Sequence, residues 1–156
     1  MTYNTKSVEK ILSQHGLPYE VKVVTEKNNP SLALAKNLGC NLGQIAKVIV
    51  FKTKFTNIPI VFILSGTNQI DEKQMRNRFG EKLITAEDEL VESLTGFSSD
   101  QLPPFGHKTT IDQVYIDADI LRWDTLWTAF GSLNNFFHIQ TKQLIKLVGG
   151  KVISVT

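Results

Sequence analysis

The sequence predicts one α/β domain of mixed type built on a largely antiparallel sheet, and three observations carry that prediction. Two apolar stretches, G-Q-I-A-K-V-I-V-F (43–51) and P-I-V-F-I-L (59–64), are separated by a loop too short for a crossover, so they form an antiparallel hairpin. The second stretch is apolar at nearly every position, the pattern of a strand covered on both faces, which puts the hairpin at the centre of the sheet. Around it, segments of helical spacing with glycine stops alternate with short strand-like runs, and no repeat, low-complexity tract or linker divides the 156 residues. A chain of that length closes a core without staples, so residues 1–156 are expected to form a single domain.

The elements follow in order. Val8, Ile11 and Leu12 predict a helix over 6–14, capped by Ser7 or Thr5 and stopped at Gly16-Leu17-Pro18. Alternation over 19–25 predicts a strand with one wetter face, and 26–30 a loop. Ser31 is placed to cap a short helix carrying Leu32, Leu34, Ala35 and Leu38, closed by Gly39, and a helical turn over 42–45 leads into the first hairpin strand. After the hairpin, Asp71 with Gln74 opens a helix ending at Phe79-Gly80, and a brief strand over 82–84 follows. Thr85 with Asp88 reads as a second capping box, for a helix that stops at Gly96. Strands are predicted over 111–117, 126–129 and 136–139, the last two around the Gly131-Ser132-Leu133-Asn134 turn. A helix from Gln140-Thr141 to Gly149-Gly150 and a strand over 152–155 complete the chain.

One residue does not fit an ordinary core. In an extended 45–51 segment, Lys47 shares a face with Ile45, Ile49 and Phe51, while Ala46, Val48 and Val50 take the other. Burying an unpaired ammonium costs on the order of several kcal/mol, so Lys47 meets water in a cleft, meets an anion, or loses proton affinity. The plainer possibility is a strand that begins after it, with the side chain snorkelling from the rim.

The bulk numbers exclude several classes of function. A net charge of +2 is far from the basic footprint of a nucleic-acid-binding domain, so any nucleic-acid partner is held through a local patch or through another protein. The longest apolar run, 58–64, is a third of a bilayer span, and the first residues lack the apolar core of a signal peptide. A cytoplasmic protein with no membrane partner is the expectation. The single cysteine, Cys40, excludes an internal disulfide and reads as a small hydrophobe at a helix end. His15, His107 and His138 lie far apart and no C-x-x-C occurs, so no metal site is expected. His107 alone adjoins the loop over 97–108, F-S-S-D-Q-L-P-P-F-G-H-K, whose two prolines stiffen the backbone in the manner of a site-lining segment. Trp123 and Trp127 pack a helical turn or strand end, or stack on a base. P-loop, dinucleotide-binding and G-x-S-x-G signatures are absent, and no cofactor is expected.

Taken together, G-Q-I-A-K-V-I-V-F, I-P-I-V-F-I-L-S-G, I-D-x-K-Q-M with F-G-E-K-L-I-T-A, T-G-F with P-P-F-G, V-Y-I-D and W-T-A-F-G-S-L-N-N resemble the YbaK and prolyl-tRNA synthetase associated domain family, from about Glu26 onward. The resemblance implies a compact domain with barrel-like sheet curvature and a hydrolase that deacylates mischarged aminoacyl-tRNA, with a small amino acid on tRNA-Pro as the substrate. Lys47 matches the family's functional lysine. The family's G-x-x-x-P loop falls on Asp100 to Pro104, with Phe105 and Gly106 following, and Gly131 and Ser132 match its small-residue turn. Asp100 stands where the glycine usually does, which leaves open a module that binds tRNA or a synthetase without turnover. The implied partners are aminoacyl-tRNA and prolyl-tRNA synthetase; the amino acid removed and the oligomeric state stay open.

Overall fold

The structure, a computed structural model, describes residues 4–24 and 31–156; the predicted loop over 26–30, Thr25 and the side chain of Ser31 lie outside them. Helix α1 (Thr5–Gln14) is followed by strand β1 (Glu20–Val23), helix α2 (Ser31–Leu38) and a 3₁₀ turn at Leu42–Gln44. That turn feeds the hairpin of β2 (Ile45–Thr53) and β3 (Pro59–Ser65), whose antiparallel register runs from Ala46↔Ser65 to Lys52↔Pro59. Next come α3 (Glu72–Phe79), β4 (Leu83–Thr85), α4 (Asp88–Thr95), β5 (Val114–Asp117), β6 (Thr125–Ala129), β7 (Asn135–Gln140), α5 (Thr141–Val148) and β8 (Lys151–Ile153).

All eight strands join one sheet in the order β1-β7-β6-β2-β3-β5-β8, with β4 added to β2, so the hairpin is central as its sequence demands. Four pairings are antiparallel, β1·β7, β2·β3, β2·β4 and β6·β7, and three are parallel, β2·β6, β3·β5 and β5·β8. The sheet is therefore mixed, and among the described residues β1 and β8 end it without closing a barrel.

Alternation along β2 and β3 divides the core. Ala46, Val48, Val50, Val61 and Ile63 face a large cluster completed by α1, α4, α5 and the loop after α4. On the other face, Ile49, Phe51, Ile60, Phe62 and Leu64 meet Met75 and Phe79 of α3, while Ile45 and Trp127 meet Ala35 and Leu38 of α2. Side chains as fully buried as Phe62, Ile63 and Leu126 each stabilise the fold by roughly 1.5–3 kcal/mol.

Most strand ends shift by one or two residues from the sequence expectation, and three departures have a clear local cause. The first helix is capped by Asn4, whose side chain accepts from Lys6 N while its own amide donates to the Ser7 hydroxyl. Thr85 does not cap α4: it is paired with Phe51 as the last residue of β4, and the helix starts after Glu87. Ile111 packs in the large cluster, so β5 begins only at Val114. As expected, Asp71 accepts from Gln74 N at 3.0 Å, and Gly80, Gly96 and Gly149 end their helices in the left-handed conformation, while the expected Ser31 cap falls outside the described residues.

Candidate active site

Lys47 sits where the outer helices part. Ile45, two residues before it, lies under α2, and Ile49, two residues after, lies under α3, so the side chain between them emerges at the seam of two apolar clusters. The ammonium is half-buried and donates to the backbone oxygen of Asn68 at 3.0 Å. Burial pushes its pKa below the usual lysine range, and the charge of Asp117 pulls it partly back.

The sheet opens at the same place. Thr53 N donates to Ile58 O, so odd-numbered residues of β2 exchange hydrogen bonds with β3 and even-numbered ones turn theirs to the opposite edge. On that edge Ala46 O accepts from the Thr128 hydroxyl and Val50 O from Ala86 N. Pairing with β6 stops at Ala46 and pairing with β4 starts at Phe51, which leaves Val48 facing a gap. A cleft of about 440 Å³ occupies it, walled by Leu34, Ile45, Val48, Ile49, Leu102 and Phe136, with Lys47, Ser99, Asp100 and Asn134 as its polar members. That size falls within the range of small-ligand sites, and apolar walls with a few convergent polar groups are their usual lining.

The remaining predicted site residues divide. Asp100 lines the cleft from a 3₁₀ turn at Ser99–Gln101, its carboxylate accepting from the Ser98 hydroxyl at 2.7 Å. Its backbone is not left-handed; in this loop the positive φ belongs to Gly106, so the Cβ of Asp100 brings no strain. Pro104, Phe105 and Gly106 line a different cavity of about 270 Å³, with Ile11, His107 and Leu147, and Phe105 packs edge-on against Phe137 in the large core cluster. Gly131 is buried at φ +102°, where a Cβ would lie 2.8 Å from the Phe97 ring, and the Ser132 hydroxyl accepts from the Asn135 side chain. It is the next two residues, Leu133 and Asn134, that reach the cleft.

The histidines are occupied elsewhere. His15 ends α1 with Nδ1 on Ile11 O, and His138 stacks on Trp127 at 4.7 Å. Burial holds His107 below the usual imidazole range, and its Nε2 donates to Pro103 O at 2.7 Å. Burial likewise raises the Cys40 thiol, the wrong direction for a nucleophile. Among the described residues no group of three His, Cys, Asp or Glu side chains could hold a metal ion, and no helix is long and apolar enough to cross a membrane.

Sequence reasoning passed over Leu34, Leu133 and Asn134 as cleft residues. Asn134 carried one signal, an asparagine in a tight turn, and it adopts φ +62°, which asparagine tolerates better than most residues.

A mixed sheet that presents one lysine in an apolar cleft at its broken edge has the form of a small-ligand site. The chain belongs to the aminoacyl-tRNA editing domain family, whose model matches residues 28–147. It is 30% identical over 118 residues to an uncharacterized protein, YwhH, of Bacillus subtilis (strain 168), covering 76% of this chain and 74% of that one. It also superposes with a TM-score of 0.86 and 28% identity on the crystal structure of a candidate trans-editing enzyme for prolyl tRNA synthetase, covering 100% of this chain and 98% of that chain. At family level the activity is aminoacyl-tRNA deacylation.

Proposed function

We propose that this protein is a trans-editing hydrolase that removes a small, wrongly attached amino acid from tRNA-Pro, with Lys47 as the working cation of the cleft. The observation that carries the reading is Lys47 itself, a partly desolvated ammonium at the seam of two apolar clusters and on the wall of a cleft at the sheet's open edge. Ester hydrolysis places negative charge on the carbonyl oxygen, and a cation in a low-dielectric site is worth more there than in water. An ammonium has three donors and Asn68 O takes one, so the others serve the ester oxygen or the terminal ribose. The aliphatic walls supply selection by volume, and Asp100 supplies an acceptor for the substrate's α-ammonium. Among the described residues no histidine and no second carboxylate lines the cleft as a general base, which favours attack by a water or by the tRNA's own 2′-hydroxyl. Pro104, Phe105 and Gly106 act by stiffening the loop that carries Asp100, and Gly131 and Ser132 by setting the turn that presents Leu133 and Asn134.

The test is deacylation of tRNA-Pro charged with alanine, cysteine or serine. The Lys47→Ala protein is expected to lose about 100-fold or more in kcat/KM while keeping its fold by circular dichroism. Undiminished turnover by that variant removes Lys47 from the mechanism. Asp100 at the family's usual glycine position supports one other reading, a module that works with tRNA or with prolyl-tRNA synthetase without turnover. Tight binding of the charged tRNA with no hydrolysis by the wild-type chain would establish it.

A further inference from the structure

The reading of Lys47 leaves one buried charge unused. Asp117, the last residue of β5, is only 2% exposed, yet it faces no basic side chain across a salt bridge among the described residues. Its Oδ2 accepts from Ser65 N at 3.0 Å and from the Asn68 side-chain amide at 2.8 Å, and its Oδ1 accepts from Asp119 N at 2.9 Å. The same Asn68 amide nitrogen donates to Asp119 Oδ2 at 2.7 Å, which commits both of its N–H bonds to carboxylates. Asn68 N closes the turn on Ser65 O at 2.9 Å. That turn is held from behind as well, because a Cβ on Gly66 would fall 2.3 Å from Leu42 O. With side chain, amide nitrogen and turn all fixed, one group of Asn68 still points outward: its carbonyl, and that oxygen takes the Lys47 ammonium.

We propose that Asp117 and Asn68 are positioning residues for Lys47: the buried carboxylate clamps the Asn68 side chain so that the residue's backbone carbonyl holds the ammonium, charged and aimed, at the wall of the cleft. This rests on the reading of Lys47 as the working cation. The linkage is electrostatic as well as geometric. Asp117 and Asp119 lie behind the asparagine and Asp100 lines the cleft; of these carboxylates Asp117 is the one whose charge offsets part of the penalty of burying the ammonium. An amide inserted between carboxylate and ammonium keeps the two from collapsing into a direct ion pair, which would withdraw the cation from substrate.

The experiment uses the full chain with 13C-labelled lysine. The Lys47 resonance, assigned by its loss in Lys47→Arg, is titrated in wild type, Asn68→Ala and Asp117→Asn, and single-turnover deacylation of mischarged tRNA-Pro is measured beside it. Asp117→Asn is expected to lower the Lys47 pKa further, by half a unit or more, and to move the alkaline limb of the rate profile by the same amount. Asn68→Ala, which keeps both carboxylates and the backbone carbonyl, is expected to stay folded and to lose about 10-fold in kcat with little change in KM. If Asp117→Asn does not fold, Asn68→Ala decides alone. A folded Asn68→Ala protein with wild-type kcat, or Asp117→Asn with an unmoved Lys47 titration, overturns the proposal. Failure of the deacylase reading itself would look different: no turnover by the wild type, with the Lys47 titration still following Asp117.

Discussion

At the scale of single residues, the cost of Lys47 is its most informative property. Burial holds its proton less tightly in the folded protein than in the unfolded chain, so between the lowered pKa and the ordinary one the unfolded state binds more protons and stability rises with pH. A Lys47→Met protein lacks that term. Its stability margin over wild type, measured by urea unfolding, is expected to narrow as pH climbs toward the ordinary lysine pKa, and a margin independent of pH would mean that the ammonium is no more burdened than one in water. The lysine was legible in the sequence because one charge interrupts alternating apolar residues on both faces of a strand. Asn68 and Asp117 were not: each reads locally as a turn residue and a strand end, and only the β3·β5 pairing brings them to the same place.

At the scale of elements, the loop after α4 and the β6–β7 turn carry the site between them. Gly131 has φ +102° and its absent Cβ would press the Phe97 ring, so Gly131→Ala strains the turn and pushes it off the loop. The expected loss is about 1–3 kcal/mol of unfolding free energy, together with a raised KM from displaced Leu133 and Asn134. Wild-type stability in that variant would show that the two segments are not packed against each other. His107 gives the loop a pH dependence. Its neutral form is the one the fold holds, with Nε2–H on Pro103 O, and its folded pKa lies below the unfolded value. Stability is therefore complete above about pH 6.5 and falls as acid protonates the unfolded chain first. His107→Gln is expected to flatten that acid limb of a melting-temperature profile. The loop's stiffness was readable from its prolines; its division between two cavities was not, because sequence does not say which side of a core a turn of chain presents.

At the scale of the whole molecule, the charge is thin but unevenly spread. Residues 51–82 hold six basic side chains, Lys52, Lys54, Lys73, Arg76, Arg78 and Lys82, against three acidic ones, Asp71, Glu72 and Glu81, for a local excess of three where the entire chain has a net charge of +2. A protein that neutralises about three phosphates should show a log affinity against log salt slope near −3, and micromolar or weaker binding of uncharged tRNA at physiological salt. Filter binding across a salt series checks this, and a slope of about −8 would reveal a far larger basic surface than the fold presents.

The sequence by itself determined the central hairpin, the helix ends at Gly80, Gly96 and Gly149, and the lysine's position on the strand. These follow from alternation, turn chemistry and the cost of a buried charge, all of which act within a few residues. Tertiary structure decided that the open edge of β2 lies at Val48, that α2 and α3 part at Lys47, and that Asp117 stands behind Asn68. The open edge depends on where β6 and β4 pair with β2, the parting of the helices on how they pack over the sheet, and the meeting of Asp117 with Asn68 on the parallel pairing of β3 with β5. Residues so far apart meet only when the whole sheet is assembled, and no local pattern encodes such a meeting.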